Sequence, residues 1–163
     1  MFPWKGAEIA FNVCKEIEKE RKDVRFVFIG DGPLLEKLRS QAGSRFTFLK
    51  NISTEELAKW FNRANMLMCP TRYESFGRAI AEAMLCSTPI VSTKVGALPE
   101  TVGPGGFLVE YGDWKGMKKY ADMLLDDKKL AKKTGAAALK YAGQYKYAVV
   151  ADKIYNIYQE ALS

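Results

Sequence analysis

The chain has 163 residues, 48% of them hydrophobic, a formal net charge of +6 at pH 7 and no histidine, which describes one folded domain of ordinary size. The absence of histidine excludes Ser-His and Cys-His nucleophile pairs, and most zinc sites, built from this chain alone. The positive charge favours anionic ligands, but it is dispersed among acidic residues and forms no basic stripe, so no nucleic-acid partner is expected.

Short apolar runs alternate along the chain with segments whose apolar residues recur at helical spacing. In chain order the pattern predicts helix 6–21, strand 24–29, helix 33–41, strand 45–49, helix 53–61, strand 66–69, helix 77–85, strand 89–92, strand 106–109 and helices 114–125, 128–141 and 147–162. Pro33 is expected to start the second helix. Ser53 and Glu56 have the spacing of a capping box at the start of the third.

Strands separated by helices indicate a parallel sheet. We therefore expect an α/β, Rossmann-like, doubly wound sheet with helices on both faces. Ligands of such sheets bind beyond the carboxyl ends of the strands, which here are followed by residues 30–33, Asn51, 71–77 and 93–101. Because a doubly wound domain normally starts with a strand and this chain starts with a helix, its first strand is expected to be missing.

The segment from Thr71 to Glu82 is the candidate binding loop. It joins a predicted strand to a predicted helix, whose free N–H groups and positive dipole end form an anion site. Gly77 lets the backbone approach a bound phosphate closely. Glu74 lies before the helix and Glu82 inside it. A carboxylate beside a phosphate is unfavourable unless it accepts hydrogen bonds from hydroxyl groups, so the pair indicates a polyhydroxylated ligand.

The same residues also fit a purely structural interpretation. Ser75 would then cap the helix, Glu74 would be solvated, and Glu82 would pair with Arg78 four residues earlier. The local pattern supports both interpretations equally.

The loop from Gly30 to Pro33 carries two glycines of a dinucleotide fingerprint. The third glycine is absent, because Leu35 occupies its place, and this disfavours a dehydrogenase. Taken in isolation, the loop indicates a turn.

The strongest functional indication is a resemblance to retaining glycosyltransferases of family 4, which have the GT-B fold. The pattern of Glu74 and Glu82, separated by seven residues that include Ser75-Phe76-Gly77, resembles the signature of that family. Three further segments and the closing helix resemble its motifs in the same order: Lys5-Gly6, Gly30-Asp31-Gly32-Pro33, Gly96-Ala97-Leu98-Pro99-Glu100 and residues 155–162.

The resemblance implies roles for individual residues. Glu74 would hold hydroxyl groups of the donor sugar, and Lys5 would neutralise charge on the leaving diphosphate; these are the two expected catalytic residues. Glu82 would bind the ribose. The complete set of expected substrate-binding residues is Gly30, Gly32, Ser75, Phe76, Gly77, Glu82 and Glu100.

The resemblance also implies a function for the whole chain. Residues 1–163 would form the donor-binding, C-terminal half of the enzyme, with the N-terminal acceptor domain absent and the isolated domain inactive. The substrate would be a nucleotide-diphosphate sugar, and no cofactor is expected. The chain contains no Asp-x-Asp motif, which fits metal-independent transfer. A non-catalytic nucleotide- or anion-binding module, or a nucleotide-sugar epimerase of the same fold, remains the alternative.

Two departures from the family pattern stand out. The family has an arginine just before the Lys-Gly motif, and this chain starts after that point. Lys50-Asn51 stands where the family often has glycine, which leaves contact with the base open.

The expected location is the cytoplasm. The three cysteines are scattered through apolar stretches, as in a reducing compartment, and the first residues lack the apolar core of a signal peptide. The family habit of building polysaccharides or lipid-linked sugars adds the inner membrane face as an expected site of peripheral association.

Overall fold

The computed structural model describes residues 1–162. After a 3-10 turn (Pro3–Lys5), the elements are α1 (Ala7–Glu20), β1 (Phe26–Ile29), α2 (Leu35–Ser40), β2 (Phe46–Leu49), α3 (Thr54–Arg63), β3 (Leu67–Cys69), α4 (Arg78–Leu85), β4 (Ile90–Thr93), α5 (Leu98–Val102), β5 (Gly106–Val109), α6 (Trp114–Asp126), α7 (Lys128–Ala142) and α8 (Tyr147–Leu162). Every predicted strand and helix is present, in the predicted order.

All strand pairs are parallel, as predicted, but the strands form two sheets. β1 pairs with β2, with Phe26 opposite Phe46. β4 lies between β3 and β5, with Val91 opposite Met68 and Phe107. No ladder joins β1 to β3 within residues 1–162. The strands thus run in the direction expected of one parallel sheet. Within residues 1–162, the hydrogen bonding between strands is interrupted only between β1 and β3.

Helices cover both faces of the strands, and each face has its own core. Ile90 and Val91 are fully buried neighbours on β4, yet they belong to different apolar clusters, because successive side chains of a strand point to opposite faces. The cluster around Val91 contains residues of α1 and α6. The cluster around Ile90 contains residues of α3, α4 and α7. This is the predicted doubly wound arrangement.

Two helix starts show how local chemistry sets the boundaries. The Ser53 side chain accepts a hydrogen bond from Glu56 N at 3.1 Å, which confirms the predicted cap of α3. The prediction that Pro33 starts the second helix is wrong by two residues, since α2 begins at Leu35. Leu34 N donates to Met1 O at 3.1 Å instead of joining a helix turn.

The last helix packs against little of the domain. All residues of α8 are exposed, among them apolar ones such as Ile154, Ile157 and Leu162, with 48%, 63% and 83% of their surface accessible. The apolar side predicted from the sequence is therefore uncovered. No helix within residues 1–162 is long and apolar enough to cross a bilayer.

Candidate functional site

The candidate binding loop lies between β3 and α4, at the carboxyl edge of the second sheet. Gly77 is the N-cap of α4 and adopts a positive φ of 87°, a conformation that favours glycine. A Cβ atom at Gly77 would lie 2.8 Å from Cδ2 of Leu98. The backbone at Gly77 therefore packs closely against the core, immediately before the free N–H groups of α4. Free N–H groups at the N-terminus of a helix are able to bind an anion.

The N-terminal 3-10 turn is hydrogen-bonded to this loop. Arg72 N donates to Trp4 O at 2.7 Å, and Thr71 Oγ1 lies 3.0 Å from the same oxygen. This pairing brings the side chain of Lys5 to Glu74, with Nζ 2.7 Å from Oε2. The Glu74 side chain is only 15% exposed, so the alternative in which Glu74 is solvated is wrong.

The backbone of Glu74 is held by a turn from the next loop. Ala97 N donates to Glu74 O at 3.2 Å. A Cβ atom at Gly96, which has a φ of +51°, would lie 2.1 Å from that same oxygen. The predicted binding loop and the Gly96–Glu100 motif are therefore in direct contact, and glycine is required where they meet.

The carbonyl of Phe76 is oriented by a threonine that the sequence patterns did not single out. Thr101 is 2% exposed, and its Oγ1 donates to Phe76 O at 2.6 Å. The Phe76 ring makes an edge contact with Tyr145, with 5.2 Å between ring centroids. Both partners lie beyond the motif that predicted the loop, so only the folded chain reveals them.

Replacing Thr101 by valine keeps the shape of the side chain and removes its hydroxyl. Because the Phe76 carbonyl then loses its donor, we expect the free energy of unfolding to fall by about 1 to 2 kcal/mol. Thr134→Val is the matched control, since Thr134 is also buried, at 7% exposure, and no hydrogen bond of its side chain to residues 1–162 is present. Urea unfolding of both variants measures the difference, and equal losses would rule out a role for the Phe76 contact.

The remaining candidate residues of the loop lie at its surface. Ser75 is exposed and does not cap α4, because Gly77 is the N-cap and no side chain caps it. Arg78 Nε lies 3.3 Å from Oε1 of Glu82, so the predicted i, i+4 pair is present. The Glu82 side chain is still 38% exposed, so the pair with Arg78 does not bury this carboxylate.

Glu100 is exposed in the first turn of α5 and does not cap that helix. Its carbonyl oxygen accepts hydrogen bonds from the hydroxyl groups of Tyr141 and Tyr145, at 2.8 and 3.1 Å. The backbone of the Gly96–Glu100 motif is thereby tied to the end of α7 and the turn that follows it.

Burial raises the pKa of Tyr145 to about 12, with nearby Tyr141 adding to the shift. In the unfolded chain a tyrosine titrates near about 10. Because the folded state favours the neutral phenol, its stabilising contribution is complete below pH 10 and is lost as the pH rises from about 10 to 12. We expect the free energy of unfolding to fall less steeply over this range in Tyr145→Phe than in the parent chain. Tyr158→Phe, at an exposed position of α8, should retain the parent slope.

Gly30 and Gly32 follow β1, at the carboxyl edge of the first sheet. Both have positive φ, at 132° and 136°, and a Cβ atom at Gly32 would lie 2.2 Å from Met1 N. Gly30 and Lys5 line the same cavity of about 510 Å³. Gly30 and Lys5 therefore border one cavity, although they lie on different segments of the chain.

The thiol of Cys69, the cysteine nearest to the candidate loop in sequence, is not activated as a nucleophile. Burial raises the pKa of Cys69, on β3, to about 11, and the charge of Glu74 adds to the shift. A thiol with such a pKa stays protonated at neutral pH. No group of three or more Asp, Glu, Cys or His side chains that could hold a metal ion occurs within the described part of the chain.

The fold and this edge of the sheet define a GT-B-like α/β domain. The chain aligns over 99% of its length with 43% of sucrose-phosphate synthase from Thermosynechococcus elongatus, with a TM-score of 0.87 and 26% identity. It also has the fold of Anabaena HepE, a structure in complex with UDP-glucose, with a TM-score of 0.81 and 23% identity over 98% of this chain and 46% of that one.

The family follows from the sequence match. The model of the glycosyl transferases group 1 family matches residues 1–141, so the chain belongs to that family. It is 29% identical, over 97% of its length and 45% of the relative, to an uncharacterized glycosyltransferase of Methanocaldococcus jannaschii. It is 34% identical, over 79% of its length and 28% of the relative, to a D-inositol 3-phosphate glycosyltransferase of Streptomyces griseus. The chain thus spans less than half the length of these relatives.

Proposed function

We propose that this chain is the donor-binding domain of a retaining glycosyltransferase of family 4, which transfers a sugar from a nucleotide-diphosphate sugar to an acceptor hydroxyl. The observation that carries the proposal is the contact between Lys5 and Glu74, at 2.7 Å, beside the N-terminus of α4. One cation, one carboxylate and a row of free N–H groups meet where a sugar diphosphate would lie.

Each part of this arrangement suits one part of the donor. The N-terminus of α4, with the backbone of Ser75, Phe76 and Gly77, would bind the diphosphate. Lys5 would neutralise the charge that develops on the leaving phosphate, which is the largest electrostatic contribution expected in such a reaction. We propose that Lys5 and the helix dipole together take the role that a metal ion has in other transferases, so that no cofactor is needed.

The carboxylates would recognise hydroxyl groups. Glu74, held in place by Lys5 and by the Gly96 turn, would accept hydrogen bonds from the donor sugar. Glu82 would accept them from the ribose, and Glu100 would complete the donor side. Gly30 and Gly32 would let the β1 loop approach the nucleotide.

The named relatives support a nucleotide-sugar donor. They include the D-inositol 3-phosphate glycosyltransferase of Streptomyces griseus and the sulfoquinovosyl transferase of Arabidopsis thaliana. HepE, of the same fold, is in complex with UDP-glucose. We propose that the acceptor site belongs to an N-terminal domain outside residues 1–163, and that this chain alone binds the donor without transferring it. We further propose that the whole protein acts in the cytoplasm or at the inner membrane face.

Calorimetric titration with UDP-, GDP- and ADP-glucose tests the proposal. One of the three should bind, and Glu82→Ala should weaken that binding about tenfold or more through loss of the ribose hydrogen bonds. Glu36→Ala, at an exposed position of α2, should leave the affinity unchanged. Binding of none of the three would favour a non-catalytic module, and transfer of sugar by this chain alone would refute its inactivity.

A further inference from the structure

The helix α7 carries most of the net charge of the domain. Its 15 residues include five lysines and no acidic residue, whereas the whole chain has 25 basic and 19 acidic residues. Without α7, the remaining 20 basic residues nearly balance the 19 acidic ones. The expectation that the positive charge is dispersed is therefore wrong, since one helix accounts for five of the six net charges.

The lysines of α7 lie on one side of the helix. An α-helix turns by about 100° per residue, which places all five within an arc of about 140°. We call the exposed residues of α7 the basic face: Lys128, Lys129, Lys132, Lys133, Ala136, Leu139 and Lys140. The buried side carries small residues, among them Gly135 and Ala138. The helix therefore presents to solvent only lysines, one alanine and one leucine.

The lysines of the basic face have no carboxylate partner among residues 1–162. Lysines on other helices do have one, since Nζ of Lys19, Lys37 and Lys118 lies 2.7, 2.6 and 2.6 Å from a glutamate oxygen. The charges of the basic face are thus not neutralised by neighbours. They are spread over a length of about 18 Å along the helix axis, and such a row of unpaired charges attracts an anionic partner.

The acidic residues that precede α7 do not cancel this charge. Asp127 is the N-cap, and its side chain accepts hydrogen bonds from the backbone N–H groups of Lys129 and Leu130. Asp126 forms an ion pair with Arg21. Both carboxylates are therefore engaged at the start of the helix, away from the lysine at its other end.

The buried side of α7 lies flat against the domain. A Cβ atom at Gly135 would lie 2.2 Å from Ser87 O, and one at Gly105 would lie 2.9 Å from Cα of Ala138. A helix packed at backbone distance along its length does not project, as a helix that enters the major groove of DNA must. It also contains no arginine, the side chain that most often contacts bases. A flat face of lysines fits a flat anionic surface better than a groove.

We propose that the basic face of α7 docks the domain on a lipid bilayer that contains anionic lipids. The ammonium groups would lie among the lipid phosphates, while the apolar stems of the lysines rest on the head-group boundary. Leu139, which is 42% exposed, would lie against the same boundary. Each lysine near an anionic leaflet strengthens binding about fivefold, so five of them suffice for reversible attachment.

Docking along α7 would bring the candidate site to the edge of the docked surface. Tyr141, next to Lys140, donates to Glu100 O at 2.8 Å. Tyr145, in the turn after α7, contacts the ring of Phe76. The carboxyl end of the basic face therefore adjoins the candidate binding loop, and an acceptor held in the bilayer would lie near the donor. This consequence, unlike the docking itself, rests on the proposed function.

Co-sedimentation with vesicles tests the proposal. The probes are vesicles of phosphatidylcholine alone and of phosphatidylcholine mixed with phosphatidylglycerol in equal parts. The chain should bind the mixed vesicles at low salt and be released at about 0.5 M salt, where charges are screened within a few ångströms. The triple variant Lys129→Gln, Lys133→Gln and Lys140→Gln should bind them about a hundredfold more weakly. Binding to the neutral vesicles as strong as to the mixed ones would overturn the proposal.

A second triple variant removes the same charge elsewhere. Lys22, Lys59 and Arg63 are exposed and lie outside α7, so their joint replacement by glutamine leaves the basic face intact. It should weaken vesicle binding by less than about threefold, because distant surface charges are screened. Equal losses in the two triple variants would refute docking through α7. Glutamine suits a helix nearly as well as lysine does, so both variants should unfold at the urea midpoint of the parent chain.

A change at the centre of the face and a nucleic-acid probe complete the test. Ala136→Glu places a carboxylate among the lysines and should weaken vesicle binding about fivefold or more. A short DNA duplex, at the same phosphate concentration as the vesicles, is the competing anionic surface. Tighter binding to the duplex than to the mixed vesicles would overturn the proposal in favour of a nucleic-acid partner.

Donor titration separates this proposal from the proposed function. The α7 triple variant should bind nucleotide sugars with the affinity of the parent chain, because its substitutions lie outside the candidate site. Vesicle binding by a chain that binds no nucleotide sugar would uphold the docking face and count against the donor site. Nucleotide-sugar binding by a chain that does not bind the mixed vesicles would have the opposite meaning.

Discussion

Gly6→Ala should lower the free energy of unfolding by about 2 to 5 kcal/mol, because it adds backbone strain to a close contact. Gly6 has a φ of +71°, and a Cβ atom there would lie 1.9 Å from the carbonyl oxygen of Pro70. Neither atom is at the end of a flexible side chain, so the 3-10 turn and the loop after β3 must move apart. Urea unfolding, read as a shift of the midpoint at constant slope, measures the loss.

Gly112→Ala is the control for Gly6→Ala. Gly112 has a similarly positive φ of 92°, but nothing lies within 4 Å of an added Cβ atom. Gly112→Ala should therefore lower the free energy of unfolding only by the cost of the backbone conformation, about 1 to 2 kcal/mol. A Gly6→Ala chain no less stable than Gly112→Ala would show that Gly6 does not pack against Pro70. The difference between the two variants isolates the contact that brings Lys5 to Glu74.

Leu98→Ala should cost about 2 to 4 kcal/mol of unfolding free energy, through lost burial and the cavity left behind. Leu98 is fully buried and packs beneath Gly77, where α4 begins. Because the cavity would open under the candidate diphosphate loop, donor affinity should fall together with stability. Thermal or urea unfolding and nucleotide-sugar titration of the same samples measure both effects.

Leu139→Ala provides the comparison for Leu98→Ala. Leu139 lies on α7 and is 42% exposed, so the same truncation there should change stability by less than about 0.5 kcal/mol. Donor affinity should also be unchanged. A loss in Leu98→Ala no greater than in Leu139→Ala would contradict the packing described for the loop.

The order and type of the elements follow from local patterns. Apolar runs too short for helices and helical spacing between them predicted all five strands and the longer helices, and the spacing of Ser53 and Glu56 predicted a cap that is present. The prediction that Pro33 starts a helix was wrong because the fixed φ of proline suits a turn as well as a helix start. The hydrogen bond from Leu34 N to Met1 O stabilises the turn. That contact joins distant parts of the chain and leaves no local signal.

The residues of the candidate site were likewise predicted from the sequence, whereas the contacts between them depend on the fold. The site's glycines, carboxylates and lysine were found from motifs, but the local pattern left Glu74 equally suited to solvent and to a ligand. Folding decided between these, because the Lys5–Glu74 contact joins residues 69 positions apart. The roles of Thr101 and Tyr145 in holding Phe76 likewise depend on where α5 and the end of α7 come to lie.

The sequence by itself determined the parallel α/β class, the position of the candidate binding loop and the residues proposed to serve it, since periodicity, glycine and charge act over a few neighbours. The tertiary structure alone decided which of those residues meet, and that no ladder joins β1 to β3 within residues 1–162. Such outcomes depend on packing between elements far apart in the chain, where side-chain volume and backbone hydrogen bonds, and no local preference, determine the arrangement.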